Sequence, residues 1–430
     1  MTDSFSTHPA IAIAAGGTGG HIYPALAVAQ SLKRLEPEAE VHFLCGQREI
    51  ELDIYRKEGI KPVVLPIGRF GGNLPQKALT AWQVWRARRR TRSFIKKTKP
   101  QCLLAFGGYV TFGAVWEAQA LGVPIILHEQ NALLGRAHQM AKKWARVIAC
   151  AYPETIKALH GTPALLTGNP VREAFNNTDR EEGRRFFELE EKELCLVVSG
   201  GSQGARSLNN LVRDSLKIMS AWTWGNKKKL TLIWATGPRQ KEELAAKAAE
   251  LTDDTLQVKL FDYLDRVDLA YAAADLVIGR AGAGTIAECT ACGKPAILVP
   301  LPTAMNDHQR LNAQSVVERG GALMIDERES APDKLVQQIV ELLEDSERLQ
   351  TMAEASRRCG RPDAADRLAR LLISFAMKEK LAREEHKGQE ATAVEEEARE
   401  QEAGEQDTQP DNDDNESECE LESENRQDVE

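Results

Sequence analysis

Twice in this chain an apolar run of strand length stops at a glycine cluster and gives way to apolar residues at helical spacing. The two stretches are AIAIAAGGTGGHIYPALAVAQSLK, residues 10–33, and ELCLVVSGGSQGARSLNNLVRDSLK, residues 193–217. Each has an echo further along, LLAFGGYVTFGAVWEAQALGVPIILHEQN in the first half and LVIGRAGAGTIAECTACGKPAILVPLP in the second. Both echoes read strand, glycine loop, helix, Gly-x-Pro, strand. The remaining strand candidates, such as VHFLCG, VIAC and LIWATG, are continuously apolar rather than alternating. Strands of that kind are covered on both faces, which requires parallel sheets with helices on either side. The expected fold is α/β, with two doubly wound parallel-sheet domains at 1–170 and 171–360. Gly168, Asn169 and Pro170 break the pattern at the join. A helical stretch over 361–383 closes the fold.

A chain of 430 residues with 42% hydrophobic side chains can fill two such cores. Its net charge of -9 is misleading, because 20 acidic and 3 basic residues lie beyond Arg383. That segment, 384–430, has almost no large apolar residues and is expected to be disordered. Without it the chain is basic. The N-terminal stretch MTDSFSTHPA has neither a basic n-region nor an apolar h-region, and no window approaches about 18 uninterrupted apolar residues. The chain is therefore expected to stay in the cytosol and not to span a membrane. Eight cysteines are scattered, and the Cys289/Cys292 pair has no second pair or nearby histidines to complete a zinc site. They are expected to be reduced, mostly buried thiols.

Glycine clusters at the ends of parallel strands let the backbone approach a phosphate, where the next helix presents free N–H groups and a positive dipole end. None of these loops contains Gly-Lys-Ser/Thr, so a P-loop is not indicated. The dinucleotide fingerprint does not fit GGTGGH or GGSQGA, and Cys45 and Gly46 stand where a dehydrogenase would carry its ribose-binding acid. Oxidoreductase chemistry is disfavoured on both counts.

Seven motifs occur in order over residues 10–375: GGTGGHIYPALAVA, GGYVTFG, HEQNALLGRA, GNPVR, GGSQGARSLN, RAGAGTIAE and NDHQRLNA. Together they resemble the bacterial peptidoglycan glycosyltransferases typified by MurG, glycosyltransferase family 28. The resemblance implies a GT-B architecture: two Rossmann-like domains facing a cleft, with the C-terminal helix packing back on the first. It implies transfer of N-acetylglucosamine from UDP-GlcNAc to lipid I, forming lipid II. Carried over by position, Ser202, Ala283, Gly284 and Thr285 would meet the diphosphate and Glu288 the ribose. Arg172 and Arg280 would lie near the nucleotide, and Leu264 would meet uracil through its backbone. Gln309, beside His308, would read the sugar hydroxyls, while Thr18, Gly19, Gly20 and Asn131 match donor-side and cleft contacts for UDP-GlcNAc. The reaction inverts at C1, so the acceptor 4-hydroxyl needs a base. His21 is the first candidate, because its ordinary pKa is near neutral and it follows a loop facing the cleft; Glu129 is the second. No Asp-x-Asp occurs before the acidic segment. Neither a cofactor nor an essential metal is expected, with helix dipoles, Arg280 and Ser202 in the place of a cation.

Between Glu58 and Glu117 there is no acidic residue, while Arg86, Arg88, Arg89, Arg90, Arg92, Lys96, Lys97 and Lys99 crowd one segment. Leu79, Trp82 and Trp85 precede or enter it at i, i+3, i+6 spacing and share a helix face. Apolar anchors rimmed by cations suit an anionic membrane surface. The expected location is peripheral, at the cytoplasmic face of the inner membrane. No nucleic-acid-binding motif accompanies the basic run. Other cell-wall synthesis proteins are further candidate partners. The rival readings are a UDP-GlcNAc epimerase or a glycolipid synthase of the same fold, or a non-catalytic cell-wall scaffold.

Overall fold

A computed structural model describes residues 8–67, 74–201, 204–237, 240–379 and 381, the side chains of 74–79 excepted. The acidic segment 384–430 and Ser202 lie outside the described residues, as does the side chain of Leu79. Among the described residues the strands form two wholly parallel sheets. The first contains β1 (Ala10–Ala14), β2 (Glu40–Cys45), β3 (Val63–Val64), β4 (Cys102–Ala105), β5 (Ile125–Glu129), β6 (Val147–Cys150) and β7 (Ala164–Leu166), in the order β3-β2-β1-β4-β5-β6-β7. The second contains β8 (Leu194–Ser199), β9 (Leu230–Ala235), β10 (Leu256–Phe261), β11 (Leu276–Gly279), β12 (Ala296–Leu298) and β13 (Ala322–Met324), in the order β10-β9-β8-β11-β12-β13.

Strand order reverses between β1 and β4 in one sheet and between β8 and β11 in the other. The four glycine loops follow those four strands, so each sheet has its loops at the crevice where ligands of open parallel sheets bind. The central strands are buried throughout, which explains their unbroken apolarity. Successive residues of β1 serve different cores. Ile11 and Ile13 pack with Ile22 and Leu32 of the first helix, and Ala12 and Ala14 pack with Ala87, Phe94 and Ile95 of the helix Leu74–Thr98.

The helix at 364–379 contributes Leu368, Ala369, Leu372 and Ala376 to the core around Ile11 and Ile13, although the chain reaches it from the second sheet. Two crossings therefore link the halves, and they touch. Gly168 has φ +86°, and a Cβ there would sit 2.6 Å from Cβ of Arg361, so only glycine fits at that contact. Ser31 and Arg34 both hold Asp366, fixing the returning helix. Among the described residues the seven cysteines are free thiols, and Cys289 and Cys292 lie in the second core.

Leu372 is fully buried on the returning helix. Leu372→Ala is expected to cost about 2–5 kcal/mol of unfolding free energy through a cavity against β1 and β4. Chemical denaturation of both proteins checks this.

Candidate active site

At the first crevice, β1 ends in Ala14 and the chain turns through Gly16 and Gly17, the latter at φ +94°. The helix Gly19–Leu35 follows, with Thr18 at its N-cap and neither a side-chain cap nor an acidic residue in its first turn. Its leading amides, at Gly19 and Gly20, are thus left for a partner outside the helix. The Arg48 guanidinium donates to the Gly17 carbonyl and braces the loop. His21 is half-buried, and its Nδ1 lies 3.0 Å from the Gly16 carbonyl oxygen. A carbonyl only accepts, so Nδ1 carries the proton and Nε2 keeps its lone pair. Burial holds the His21 imidazolium below the ordinary histidine range, while the charge of Glu129 opposes that shift.

Glu129 ends β5 and is buried. One carboxylate oxygen accepts from the Asn131 backbone (3.0 Å) and its side-chain amide (3.1 Å). The other accepts from the Gly135 backbone (2.8 Å) and from Nδ1 of His138 (2.8 Å). Burial acts to raise its pKa, but His138 and these backbone donors outweigh it and bring it to about 2. A carboxylate so weakly basic and so fully engaged does not take a proton near neutrality. Glu129 thereby braces the loop that follows β5. His128 is also fully buried and engaged: Nε2 donates to the Gly168 carbonyl (2.9 Å), and burial lowers its pKa to about 4.

At the second crevice, the helix Ala283–Ala291 begins after Gly282, again with no side-chain cap, and Ala283, Gly284 and Thr285 form its first turn. Glu288 is half-buried one turn on; desolvation raises its carboxyl to about 7, and the Arg172 charge opposes this. The Arg172 guanidinium lies 5.1 Å from the Tyr23 ring centroid and 5.2 Å from that of Phe175, leaving its Nε without a partner. Arg280 is buried and held by Glu327 (2.7 Å), the Ser207 hydroxyl (2.7 Å) and the Val299 carbonyl (3.1 Å), so its charge is neutralised within the protein. Leu264 is buried in the second core. The Gln309 side-chain oxygen accepts from the Leu301 backbone (2.9 Å), which leaves its amide group to donate elsewhere. His308 turns its Nδ1 to the Met305 carbonyl (2.9 Å) at the surface.

The carboxyl edges of the two sheets face each other. The Asn131 side-chain oxygen accepts from the Asn312 amide (3.1 Å) while its own amide holds Glu129. Asn312 also accepts from the Ala132 backbone (2.8 Å) and donates to the Ala281 carbonyl (3.2 Å). Tyr23 and Tyr263 meet hydroxyl to hydroxyl across the opening, 2.7 Å apart. Sequence reasoning missed Tyr23, His138, Tyr263, Asn312 and Glu327. Tyr23 and Asn312 lie inside quoted motifs and His138 directly follows one, but spacing alone does not reveal partners. Among the described residues no group of three or more His, Cys, Asp or Glu side chains is placed to hold a metal ion.

On the helix Leu74–Thr98, Trp82 and Trp85 are 51% and 52% exposed, so they are not core residues. Arg86 stacks on Trp82 (4.7 Å to the ring centroid) and Arg89 on Trp85 (4.9 Å). Trp116 and Trp144 lie nearby in the fold, 6.4 Å apart by centroid, with Arg88 over one and Lys143 over the other. Not all the basic residues face outward: Arg88 and Arg92 pair with the buried Glu117. No described helix is long and apolar enough to cross a membrane.

Two parallel sheets with opposed carboxyl edges, and glycine-rich helix starts at both reversals of strand order, define a GT-B-type glycosyltransferase. The family models for the glycosyltransferase family 28 N-terminal and C-terminal domains match residues 11–150 and 195–368. The chain is 35% identical over 376 residues to the UDP-N-acetylglucosamine--N-acetylmuramyl-(pentapeptide) pyrophosphoryl-undecaprenol N-acetylglucosamine transferase of Desulfitobacterium hafniense (strain Y51), covering 86% of this chain and 100% of that one. The crystal structure of Acinetobacter baumannii MurG matches with TM-score 0.67 and 28% identity over 85% of this chain and 99% of its own. UDP-GlcNAc 2-epimerase from Neisseria meningitidis, bound to UDP-GlcNAc, matches with TM-score 0.59 at 14% identity over 86% and 100% of the two chains, a likeness of fold alone. The chain belongs to the MurG family of N-acetylglucosamine transferases, within glycosyltransferase family 28.

The raised carboxyl of Glu288 gives a pH signature. The folded protein binds this proton up to about pH 7 and the unfolded chain only up to about 4.5. Stability contributed by the neutral form is therefore lost as pH rises from about 4.5 to 7. Glu288→Gln, which cannot ionise, is expected to lose less stability than wild type between pH 5 and pH 8, measured by denaturant midpoints.

Proposed function

We propose that this chain transfers N-acetylglucosamine from UDP-GlcNAc to the 4-hydroxyl of the N-acetylmuramyl sugar of lipid I, giving lipid II. The observation that carries the mechanism is the fixed tautomer of His21: its Nδ1–H is committed to Gly16, so Nε2 is an available base beside the first glycine loop. The acceptor hydroxyl attacks C1 of the donor sugar from the face opposite UDP and inverts it. His21 Nε2 takes the hydroxyl proton, and the C1–O bond to UDP breaks with its electron pair leaving on the diphosphate. Burial that disfavours the imidazolium also keeps His21 neutral and ready to accept.

The leaving diphosphate is stabilised by the first-turn amides at Ala283, Gly284 and Thr285, together with Ser202 and the dipole of the helix they begin. Glu288 takes the ribose hydroxyls, the Leu264 backbone the uracil, and the free amide of Gln309 a sugar hydroxyl. Arg172 supplies the positive charge that Arg280, paired with Glu327, does not. Thr18, Gly19 and Gly20 meet the donor from the first crevice. Fixed dipoles aimed at developing charge perform this step without a metal.

The acceptor is lipid-borne, and Trp82 and Trp85 with Arg86 and Arg89 form the docking face on an anionic membrane. Indole rings favour the interface, and each nearby cation adds about 1 kcal/mol. The proposed location is the cytoplasmic face of the membrane, where a lipid-borne acceptor meets a UDP-sugar. Proteins of cell-wall synthesis are the natural further partners there.

Transfer of labelled N-acetylglucosamine from UDP to a short-chain lipid I analogue tests the reaction. With chelator present, wild type is expected to retain activity and His21→Ala to lose about a hundredfold or more. UDP-GlcNAc binding without any lipid product overturns the acceptor. Separately, Trp82→Ala/Trp85→Ala is expected to reduce sedimentation with phosphatidylglycerol vesicles at least several-fold while leaving transfer to a water-soluble acceptor analogue unchanged.

A further inference from the structure

A second histidine lone pair lies beside the first. His138 sits on the short helix Arg136–Ala141 and is 2% exposed. Its Nδ1–H donates to Glu129, so in the neutral ring Nε2 holds a lone pair, and that buried nitrogen has no hydrogen-bond partner. A buried polar atom without a partner is costly and points to a use. Its position shows the use. A Cβ on Gly107 would lie 3.4 Å from His138 Nε2 and 3.6 Å from His21 Nε2. Gly107, at φ +95°, has no Cβ, so the two lone pairs border one gap that a side chain would fill.

We propose that His138 is a positioning residue for the transfer: backed by Glu129, it receives across the gap at Gly107 the proton that His21 takes from the acceptor. This rests on His21 as the base. As the bond from the acceptor oxygen to C1 forms, the acceptor O–H breaks and its proton sits on His21 Nε2. That N–H then breaks as one forms at His138 Nε2, directly or through one water, and His21 returns to neutrality. The charge comes to rest 2.8 Å from a carboxylate instead of on a ring whose burial disfavours it. The charged and titratable groups around His21 are Glu129 and His128 from β5, His138 from its own helix, and Tyr109, whose ring borders Gly17. Glu129 and His138 pair with each other, and His128 is committed to Gly168 and Gln130. His21 and His138 are left facing one another.

The test is the pH dependence of transfer by the full chain with UDP-GlcNAc and the lipid I analogue, for wild type, His138→Asn, His21→Ala and the double variant. Asparagine keeps an amide donor for Glu129 and lacks the second lone pair. In His138→Asn, kcat is expected to fall about tenfold or more with KM for UDP-GlcNAc within about twofold, and no further loss is expected on top of His21→Ala. The acid limb of the profile is expected to move to lower pH, because the remaining base is buried with no carboxylate-backed partner. An unmoved limb reduces His138 to a packing role, and a limb moved to higher pH means that it only repels charge on His21; either outcome overturns the proposal. Full activity in His21→Ala instead overturns the base itself. Should His138→Asn fail to fold, nitrogen NMR of histidine-labelled wild type decides: a shared titration midpoint for the two Nε2 atoms supports the relay, and independent midpoints sink it.

Discussion

The buried carboxylate of Glu129 is the interaction on which the cleft depends. An ionised group out of water is tolerated only when its oxygens are fully paired, and here four donors converge on them. Three of those donors, from Asn131 and Gly135, fold the loop after β5 around the charge. The fourth orients His138. Because Glu129 consumes the Asn131 amide, the side-chain oxygen of Asn131 is turned outward, where Asn312 from the other half takes it. One carboxylate thereby sets a loop, a histidine tautomer and a contact between the two sheets.

Parallel topology explains why the chemistry collects at this place. Within each sheet every strand points its carboxyl end the same way, so each connection from strand to helix falls on one edge of that sheet. At the two reversals of order, neighbouring helices diverge and leave room. Glycine keeps that room open, most plainly at Gly107, where a side chain would close the space between two imidazoles. The returning helix at 364–379 then ties the second half to the back of the first sheet, holding the edges opposed.

Much of this was legible in the sequence. Buried parallel strands such as AIAIA and LVIG announce themselves by unbroken apolarity, and the glycine clusters marked the crevices. Strands β3, β7 and β13, two or three residues long at sheet edges, carry too little pattern to be read. Site roles were legible only where backbone geometry decides them. Thr18 and Ala283 begin helices whatever surrounds them, but a glutamate or arginine takes its role from partners far along the chain. Glu129 reads as a candidate base until its donors are known, and Arg280 reads as a phosphate ligand until Glu327, 47 residues on, is found against it.

The pairing of Arg280 with Glu327 changes how the leaving group must be stabilised. A neutralised guanidinium contributes its shape and hydrogen bonds to Ser207 and Val299, stiffening the strand end from which the helix Ala283–Ala291 starts. The positive potential at the second crevice then comes chiefly from aligned peptide dipoles, with Arg172 approaching from the crossing between the halves. Dipoles fixed by the fold do not reorganise as charge develops, which favours the transition state over the bound donor. Arg172 stacks on Tyr23 of the first half and acts on Glu288 of the second, so its contribution depends on the two halves being closed. Donor electrostatics and the contact between the two halves are in this way one variable.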